Sequence, residues 1–256
     1  MIKLGGNVID NASELETVLY SVARLKGPKI LVHGGGKLAS EMSRSMGIEP
    51  QMVDGRRITS KQDLEIVTMV YAGSINKNIT AQLQAFGCNA VGLSGADGNA
   101  IASAKRPTEP INFGLVGDVK SVNTSFIKVL LEAEITPVFC AITHDGAGQL
   151  LNTNADTIAA ELASSMSKDY VTELIYCFEK QGVLSDTDNE ASVIPILDEA
   201  LFRQLKSAKA IHSGMLPKLD NCFDALSKGV SRVIVGNTNV IDDRTVPHTA
   251  IIRITA

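Results

Sequence analysis

The chain is 256 residues long, 45% hydrophobic and 20% charged, with 24 Lys and Arg against 28 Asp and Glu and a net charge of −4. This composition excludes a disordered chain and describes one large or two small soluble domains. The longest uncharged stretch, residues 78–96, is interrupted by Asn, Gln, Thr, Ser and Gly. It lacks the roughly 20 apolar residues of a membrane-spanning helix, and no long basic run supplies the field that holds a nucleic-acid backbone. Neither membrane nor nucleic acid is expected as a partner.

From the N-terminus, Met1-Ile2-Lys3-Leu4 reads as a strand from its second residue, which leaves no room for a secretory leader. Residues 12–25 follow Asn11 with helical spacing and an acceptable cap, residues 29–32 form a short buried strand, and a helical pattern resumes near Lys37. Residues 51–58 read as a hairpin or an excursion above the sheet, and residues 61–71 after Ser60 and 75–86 as helices. The run 90–93 is a strand, and residues 100–119, with Pro107 and Pro110, are a hairpin or an excursion above the sheet. Helices at 125–133, 155–166 after Asn154 and 216–227 after Ser213 alternate with strands at 136–140, 171–177 and 232–235. Alternation of this kind predicts an α/β layered fold, a parallel sheet with helices on both faces. Two lobes sharing one continuous sheet are expected, an N-terminal lobe of residues 1–169 and a C-terminal lobe of residues 170–256. Cys88, Cys140, Cys177 and Cys222 lie far apart with no CxxC and no histidine at ligand spacing, so they read as reduced thiols of a cytoplasmic protein.

Chemistry concentrates in loops after strands. Gly34-Gly35-Gly36 follows Ile30-Leu31-Val32 and opens a helix, so its backbone N–H groups and the helix dipole suit a phosphate or carboxylate. A tight turn is the plainer reading, but Gly5-Gly6 after the first strand, preceded by Lys3, forms a second such loop where open α/β sheets bind ligands. Residues 34–39 also fit a loose GxGxxA dinucleotide fingerprint with Asp54 as its acid, yet Asp54 sits in a polar, turn-like segment, and the Walker spacing fails. Arg56 and Arg57 offer forks for a carboxylate, or a solvated hairpin tip. Residues 92–98 form either a binding loop or a structural one. Asn152 and Asp156 flank the start of an Ala-rich helix, where Asn154 is the natural cap. In Gly214-Met215-Leu216-Pro217-Lys218, the lysine opposes the dipole of a helix start, which a bound anion would explain.

Lys3-Leu4-Gly5-Gly6, His33-Gly34-Gly35-Gly36, Asp54-Gly55-Arg56-Arg57-Ile58-Thr59, Gly92-Leu93-Ser94-Gly95, Asn152-Thr153-Asn154-Ala155-Asp156 and Gly214-Met215-Leu216-Pro217-Lys218 stand in an order that resembles the acetylglutamate kinases of the amino-acid kinase family. The resemblance covers residues 2–236. It implies a three-layer αβα sandwich around a mostly parallel open sheet, an N-terminal lobe that binds the acylated amino acid and dimerises, and a C-terminal lobe that binds ATP. It further implies that Lys3 and Lys218 neutralise the phosphoryl group in flight, that Gly6 and Gly35 supply amides to it, and that Asp156 orients the lysines. Gly35, Gly36, Arg57 and Asn152 would bind the substrate. Lys3, Gly5, Gly6, Glu179, Gly182, Met215 and Lys218 would line the nucleotide site, with Mg²⁺ carried by the nucleotide rather than by a protein metal site.

The acceptor would be the side-chain carboxylate of an N-acylated glutamate, acetyl by default and succinyl as an option, with Arg56 or Lys120 as candidates to meet an extra carboxylate. His33 would support its loop by hydrogen bonding. An aspartate or glutamate kinase, or a catalytically silent sensor of the acyl amino acid, is the alternative. Two departures stand out. Phe178-Glu179 replaces a small hydroxyl residue and an Asp near the expected purine or ribose, and His248 stands where a glycine is common. Family members that form arginine-inhibited hexamers carry an added N-terminal helix, so a chain opening on its first strand predicts an arginine-insensitive homodimer.

Overall fold

The computed structural model describes residues 1–186, 188–208, 211 and 215–253. Ser213 and Gly214, assigned above to a helix start and its motif, and His212 lie outside the described residues.

Strand β1 (Ile2–Leu4) is short and wholly buried. A tight passage through α1 (Gly6–Asp10) leads to α2 (Ala12–Arg24), capped by the Asn11 side chain. Next come β2 (Leu31–His33) and α3 (Gly36–Ser45), then the hairpin of β3 (Met52–Val53) and β4 (Arg56–Arg57). Its two-residue turn, Asp54 and Gly55, has φ of 48° and 73°. Both are left-handed, as such a turn requires. Asp54 is therefore a turn residue and not the acid at the end of a second dinucleotide-binding strand.

Helix α4 (Lys61–Thr68) begins in a reciprocal capping box of Ser60 and Asp63, continues as a π-helical segment (Met69–Ile75), and becomes α5 (Asn76–Ala85). The two helices expected here are one continuous rod. Strand β5 (Ala90–Leu93) is followed by β6 (Ile101–Lys105) and β7 (Gly117–Val122), an antiparallel pair that bears out a hairpin within residues 100–119. After α6 (Thr124–Glu132) and β8 (Thr136–Phe139) comes a second hairpin, β9 (Ile142–His144) and β10 (Leu150–Asn152), absent from the sequence reading. Helix α7 (Ala155–Met166), strand β11 (Glu173–Cys177), strand β12 (Ile196–Leu197) and helix α8 (Glu199–Ser207) follow. Helix α9 (Leu216–Ser227), β13 (Arg232–Gly236) and β14 (Thr249–Ile251) complete the described elements. Neither α8 nor the two outer strands, β12 and β14, was expected.

The main sheet has eight strands in the order β12-β14-β13-β11-β1-β2-β8-β5. All neighbours run parallel except β13 and β14. The α/β class and the mostly parallel sheet are as expected. A smaller sheet, β10-β9-β6-β7, continues from the C-terminal ends of β5 and β8, where the Gly95 N–H donates to the Ile142 carbonyl at 2.7 Å. The core is built on Ile2, Leu4, Leu31, Phe139 and Tyr176, each at most 2% exposed. Each such side chain contributes about 1.5–3 kcal/mol through burial. Helix α7 is buried along most of its length because Ala159, Ala160 and Ala163 let its backbone approach β1, β2 and β11 closely.

Candidate active site

The adjacent central strands β11, β1 and β2 end together, and each feeds a loop that the sequence marked. Ligands collect at such strand ends in open α/β sheets. Alternation along β1 buries Ile2 and Leu4 on one face and turns Lys3 to the other, toward α7. Lys3 Nζ lies 2.6 Å from Asp156 Oδ1, with both side chains at most 10% exposed. Asp156 occupies the first turn of α7, whose cap, the Asn154 side chain, accepts from the Asp156 and Thr157 N–H groups at 2.8 and 3.1 Å. The Lys3 contact is an ion pair rather than an aligned hydrogen bond, because Oδ1 is buried and takes no hydrogen bond of good geometry.

Lys218 enters from the first turn of α9. Burial would raise the Asp156 pKa, but the ammonium groups of Lys3 and then Lys218 overcome it and hold the carboxyl below its usual range. Burial pulls Lys218 below its ordinary value, Asp156 opposes that shift, and Lys3 adds to it by repulsion. Two cations from opposite ends of the sequence thus bear on one carboxylate. Lys218 Nζ also sits 4.3 Å from the centroid of the Phe178 ring, which stacks on Tyr176 at 6.3 Å, and the Tyr176 hydroxyl donates to the Asp156 carbonyl at 2.9 Å. The unusual Phe178 is therefore a floor beneath Lys218, a cation–π contact worth about 0.5–2 kcal/mol. Glu179 is exposed and accepts a 2.6 Å hydrogen bond from Asn7 of α1.

The glycines divide by physical cause. At Gly5, whose N–H donates to the Cys177 carbonyl at 2.8 Å, a Cβ would stand 2.7 Å from that oxygen. A Cβ at Gly6 would meet nothing within 4 Å, so no protein atom requires glycine there. Gly35 has φ 142°, and its Cβ would fall 2.1 Å from Ile75 Cδ1 and 3.2 Å from the Tyr71 ring. Gly182 is pressed against Thr249 and Val193, a packing demand that accounts for it without a ligand. Met215 caps α9 at the N-terminal side. In the 92–98 loop, Gly92 packs on Asn76, Gly95 on Ile101 and Thr143, and Asp97 accepts from the Ser94 N–H and hydroxyl. Those contacts favour the structural reading of that loop.

A cleft between α3, the β3–β4 hairpin and the small sheet brings together Gly35, Gly36, Arg57 and Asn152. Arg57 is buried, donating from Nη2 to the Gly36 carbonyl at 3.1 Å and the Ser40 hydroxyl at 2.7 Å, while its Nη1 has no partner. A buried guanidinium nitrogen lacking an acceptor is costly unless a ligand supplies one. Asn152 donates to the Thr59 hydroxyl at 3.0 Å. Arg56 lines the cleft but is exposed, and Lys120 is exposed on β7.

Two lining residues escaped the sequence reading. Tyr71 comes from the π-helical segment, and burial raises its phenol pKa against the field of Arg57. Arg106 projects from the end of β6, pairs with Asp118 of β7 through Nη2 at 2.5 Å and lies over the Phe113 ring at 5.4 Å. An antiparallel β6–β7 register would have placed Arg106 near Asp118, the only signal available for it.

Residues 1–237 match the amino acid kinase family. The chain is 53% identical over 236 residues to the acetylglutamate kinase of Cytophaga hutchinsonii, covering 92% of this chain and 89% of that one. It is 46% identical over 243 residues to the acetylglutamate kinase of Phocaeicola vulgatus, covering 95% of each. The crystal structure of smu.665 from Streptococcus mutans UA159 shares the fold with a TM-score of 0.80 at 24% identity, over 98% of this chain and 96% of that one. With nearly the whole length matched and the marked loops gathered at one edge of a parallel sheet, the chain belongs to the amino acid kinase family.

Proposed function

We propose that this chain is an ATP-dependent N-acylglutamate kinase that phosphorylates the side-chain carboxylate of N-acetyl-L-glutamate, a step of arginine biosynthesis. The observation that carries this reading is the buried Lys3–Asp156 pair, with Lys218 acting on the same carboxylate, where α7 packs against β1 and β2, the strands that lead into the two glycine turns. The names of the relatives support the substrate.

An oxygen of the substrate's side-chain carboxylate attacks the γ-phosphorus of ATP, and the bond from that phosphorus to the bridging oxygen of ADP breaks. The products are an acyl phosphate and ADP. A glutamyl carboxylate has an unperturbed pKa of about 4.3, so it is already ionised at neutral pH and needs no general base. The task left to the protein is to align two anions and stabilise charge on the equatorial oxygens. Lys3 and Lys218 meet that charge, Asp156 fixes both ammonium groups, and the Gly6 and Gly35 amides complete the cradle. Arg57 uses its free Nη1 on the substrate's α-carboxylate, with Asn152 and Gly36 beside it. Gly5, Gly6, Glu179, Gly182 and Met215 flank the nucleotide in a C-terminal lobe of residues 170–256, and residues 1–169 hold the acylated amino acid.

Among the described residues, no group of three or more His, Cys, Asp or Glu side chains is arranged to hold a metal, and Asp156 is engaged by Lys3. Mg²⁺ carried by the nucleotide would supply neutralising charge to its phosphates, beside the ammonium groups of Lys3 and Lys218. A cytoplasmic homodimer is the working form we assign.

Acyl phosphate trapped as hydroxamate, measured with ATP and N-acetylglutamate, N-succinylglutamate, glutamate or aspartate, tests the reading. Turnover of N-acetylglutamate is expected. Activity confined to a free amino acid, or binding of the acyl amino acid without any turnover, would overturn it.

A further inference from the structure

The Gly34–Gly36 turn is held from behind by side chains set into the sheet. His33, the last residue of β2, is fully buried, with its Nδ1 2.9 Å from the Gly34 carbonyl. Its Nε2 lies 3.0 Å from Nδ2 of Asn76, the first residue of α5, and that nitrogen also donates to the Val138 carbonyl on β8 at 2.9 Å. An amide nitrogen has two hydrogens and no acceptor lone pair, so His33 Nε2 must accept and the ring proton must sit on Nδ1. The Asn76 amide is oriented in turn by Lys77, whose Nζ donates to Asn76 Oδ1 at 3.2 Å and to the Gly92 carbonyl at 2.8 Å.

This tautomer has a directional consequence. In a trans peptide the C=O of one residue and the N–H of the next point in opposite directions. Once His33 Nδ1–H draws the Gly34 carbonyl toward the sheet, the Gly35 N–H faces away from it. Ile75 and Tyr71 of the π-helical segment occupy the space that any side chain at Gly35 would need. π-helical turns recur at functional sites, and here one extra residue in the turn lets Asn76 face His33 while Tyr71 and Ile75 seat the glycine.

We propose that Asn76 and His33 are a positioning pair that fixes the ring tautomer and thereby aims the Gly35 N–H at the transferring phosphoryl group. The inference rests on the kinase reading above for its ligand, and on the hydrogen-bond chain alone for the tautomer. Burial holds His33 neutral, with its pKa pushed down to about 4, so the arrangement persists through the physiological range.

Asparagine places its side-chain nitrogen where histidine has Nδ1, whereas glutamine reaches toward the Nε2 position. His33→Asn should therefore keep kcat within about 10-fold, while His33→Gln should lose about 100-fold or more, the scale of one lost oxyanion donor. The KM values for ATP and N-acetylglutamate should move less than about 3-fold in both. Equal kcat losses in the two variants, tracking their melting temperatures, would overturn the proposal. A ¹⁵N–¹H spectrum of the wild-type imidazoles needs no variant to fold. It should show His33 protonated at Nδ1 with a bare Nε2, and the reverse tautomer would sink the pair. If the wild-type enzyme phosphorylates no acylglutamate, the function reading fails while this spectrum still decides the tautomer.

Discussion

Replacing Asp156 by Asn removes one negative charge and almost no volume, so it isolates what the carboxylate does for two lysines. At 2.6 Å, and at an effective dielectric of about 20, the Lys3–Asp156 attraction is on the order of 6 kcal/mol before desolvation is subtracted. Breaking such a pair leaves a buried ammonium unmatched and costs about 3–5 kcal/mol. The asparagine oxygen keeps a partial negative charge facing the ammonium, so the low end, about 3 kcal/mol, is expected. In a chain of this size that lowers the melting temperature by about 6–12 °C. The pH dependence has a definite sign. The folded pKa of Asp156 lies below its unfolded value, so its contribution is complete above about pH 4 and disappears as pH falls through the folded pKa. The variant should lose that part of the acid limb.

Denaturation with and without inorganic sulfate gives the sharper readout. In the wild-type protein, Asp156 partly occupies the lysines and competes with an added anion. In Asp156→Asn the two ammonium groups are unopposed, so sulfate should raise the melting temperature more than it does in wild type. The double variant Lys3→Met, Asp156→Asn should be less destabilised than the sum of the two singles, because it removes the buried Lys3–Asp156 pair as a unit and strands neither partner of that pair. Additive losses together with an unchanged sulfate response would refute the claim that these side chains converge on one anion site.

Lys218→Ala should lower kcat by about 100-fold or more with little change in the KM for N-acetylglutamate, in steady-state assays. Because burial holds the Lys218 pKa below that of a free lysine, activity needing its ammonium is kept at lower pH and lost as pH rises through that value. Lys218→Arg should remove this alkaline limb from a kcat profile, and its persistence would assign the limb elsewhere. Arg57→Ala should mainly raise the KM for N-acetylglutamate, about 10-fold or more, since its unpartnered Nη1 is placed for ground-state recognition. A loss confined to kcat would exchange its role with that of Lys218. Gly35→Ala should destabilise the enzyme by about 2 kcal/mol or more, from its positive φ and the clash with Ile75. The added substitution Ile75→Ala should restore part of that in thermal melts, since it clears the nearest atom.

How much of this was legible in the sequence follows from the range of each interaction. The strand ends and glycine turns are local events, and β5, β11 and β13 emerged within two residues of their expected starts because strands buried on both faces read as apolar runs. Val171, assigned to β11, is 94% exposed and precedes the strand, since β-branched residues in a connection carry the same signal. The gap read between helices at 71 and 75 has a physical origin. A π-helical turn inserts a residue, shifts the apolar phase, and breaks the 3.6-residue pattern without breaking the rod. That phase shift hid Tyr71. Arg106 was hidden because its partner, Asp118, depends on a hairpin register. Lys3, Asp156 and Lys218 were each marked locally, at a strand end or a helix start, but their shared role came from a resemblance, for nothing in the order of a chain brings its third residue to the first turns of α7 and α9. The parallel crossovers do this. Pairing β1 with β11 and β2 puts Lys3 at the middle of the sheet, and α7, packed against both β1 and α9, brings Asp156 to Lys3 and into the field of Lys218. The site is thus a property of strand order, and substitutions that slip the β1–β11 register should abolish the Lys3–Asp156 contact even when every residue of the site is retained.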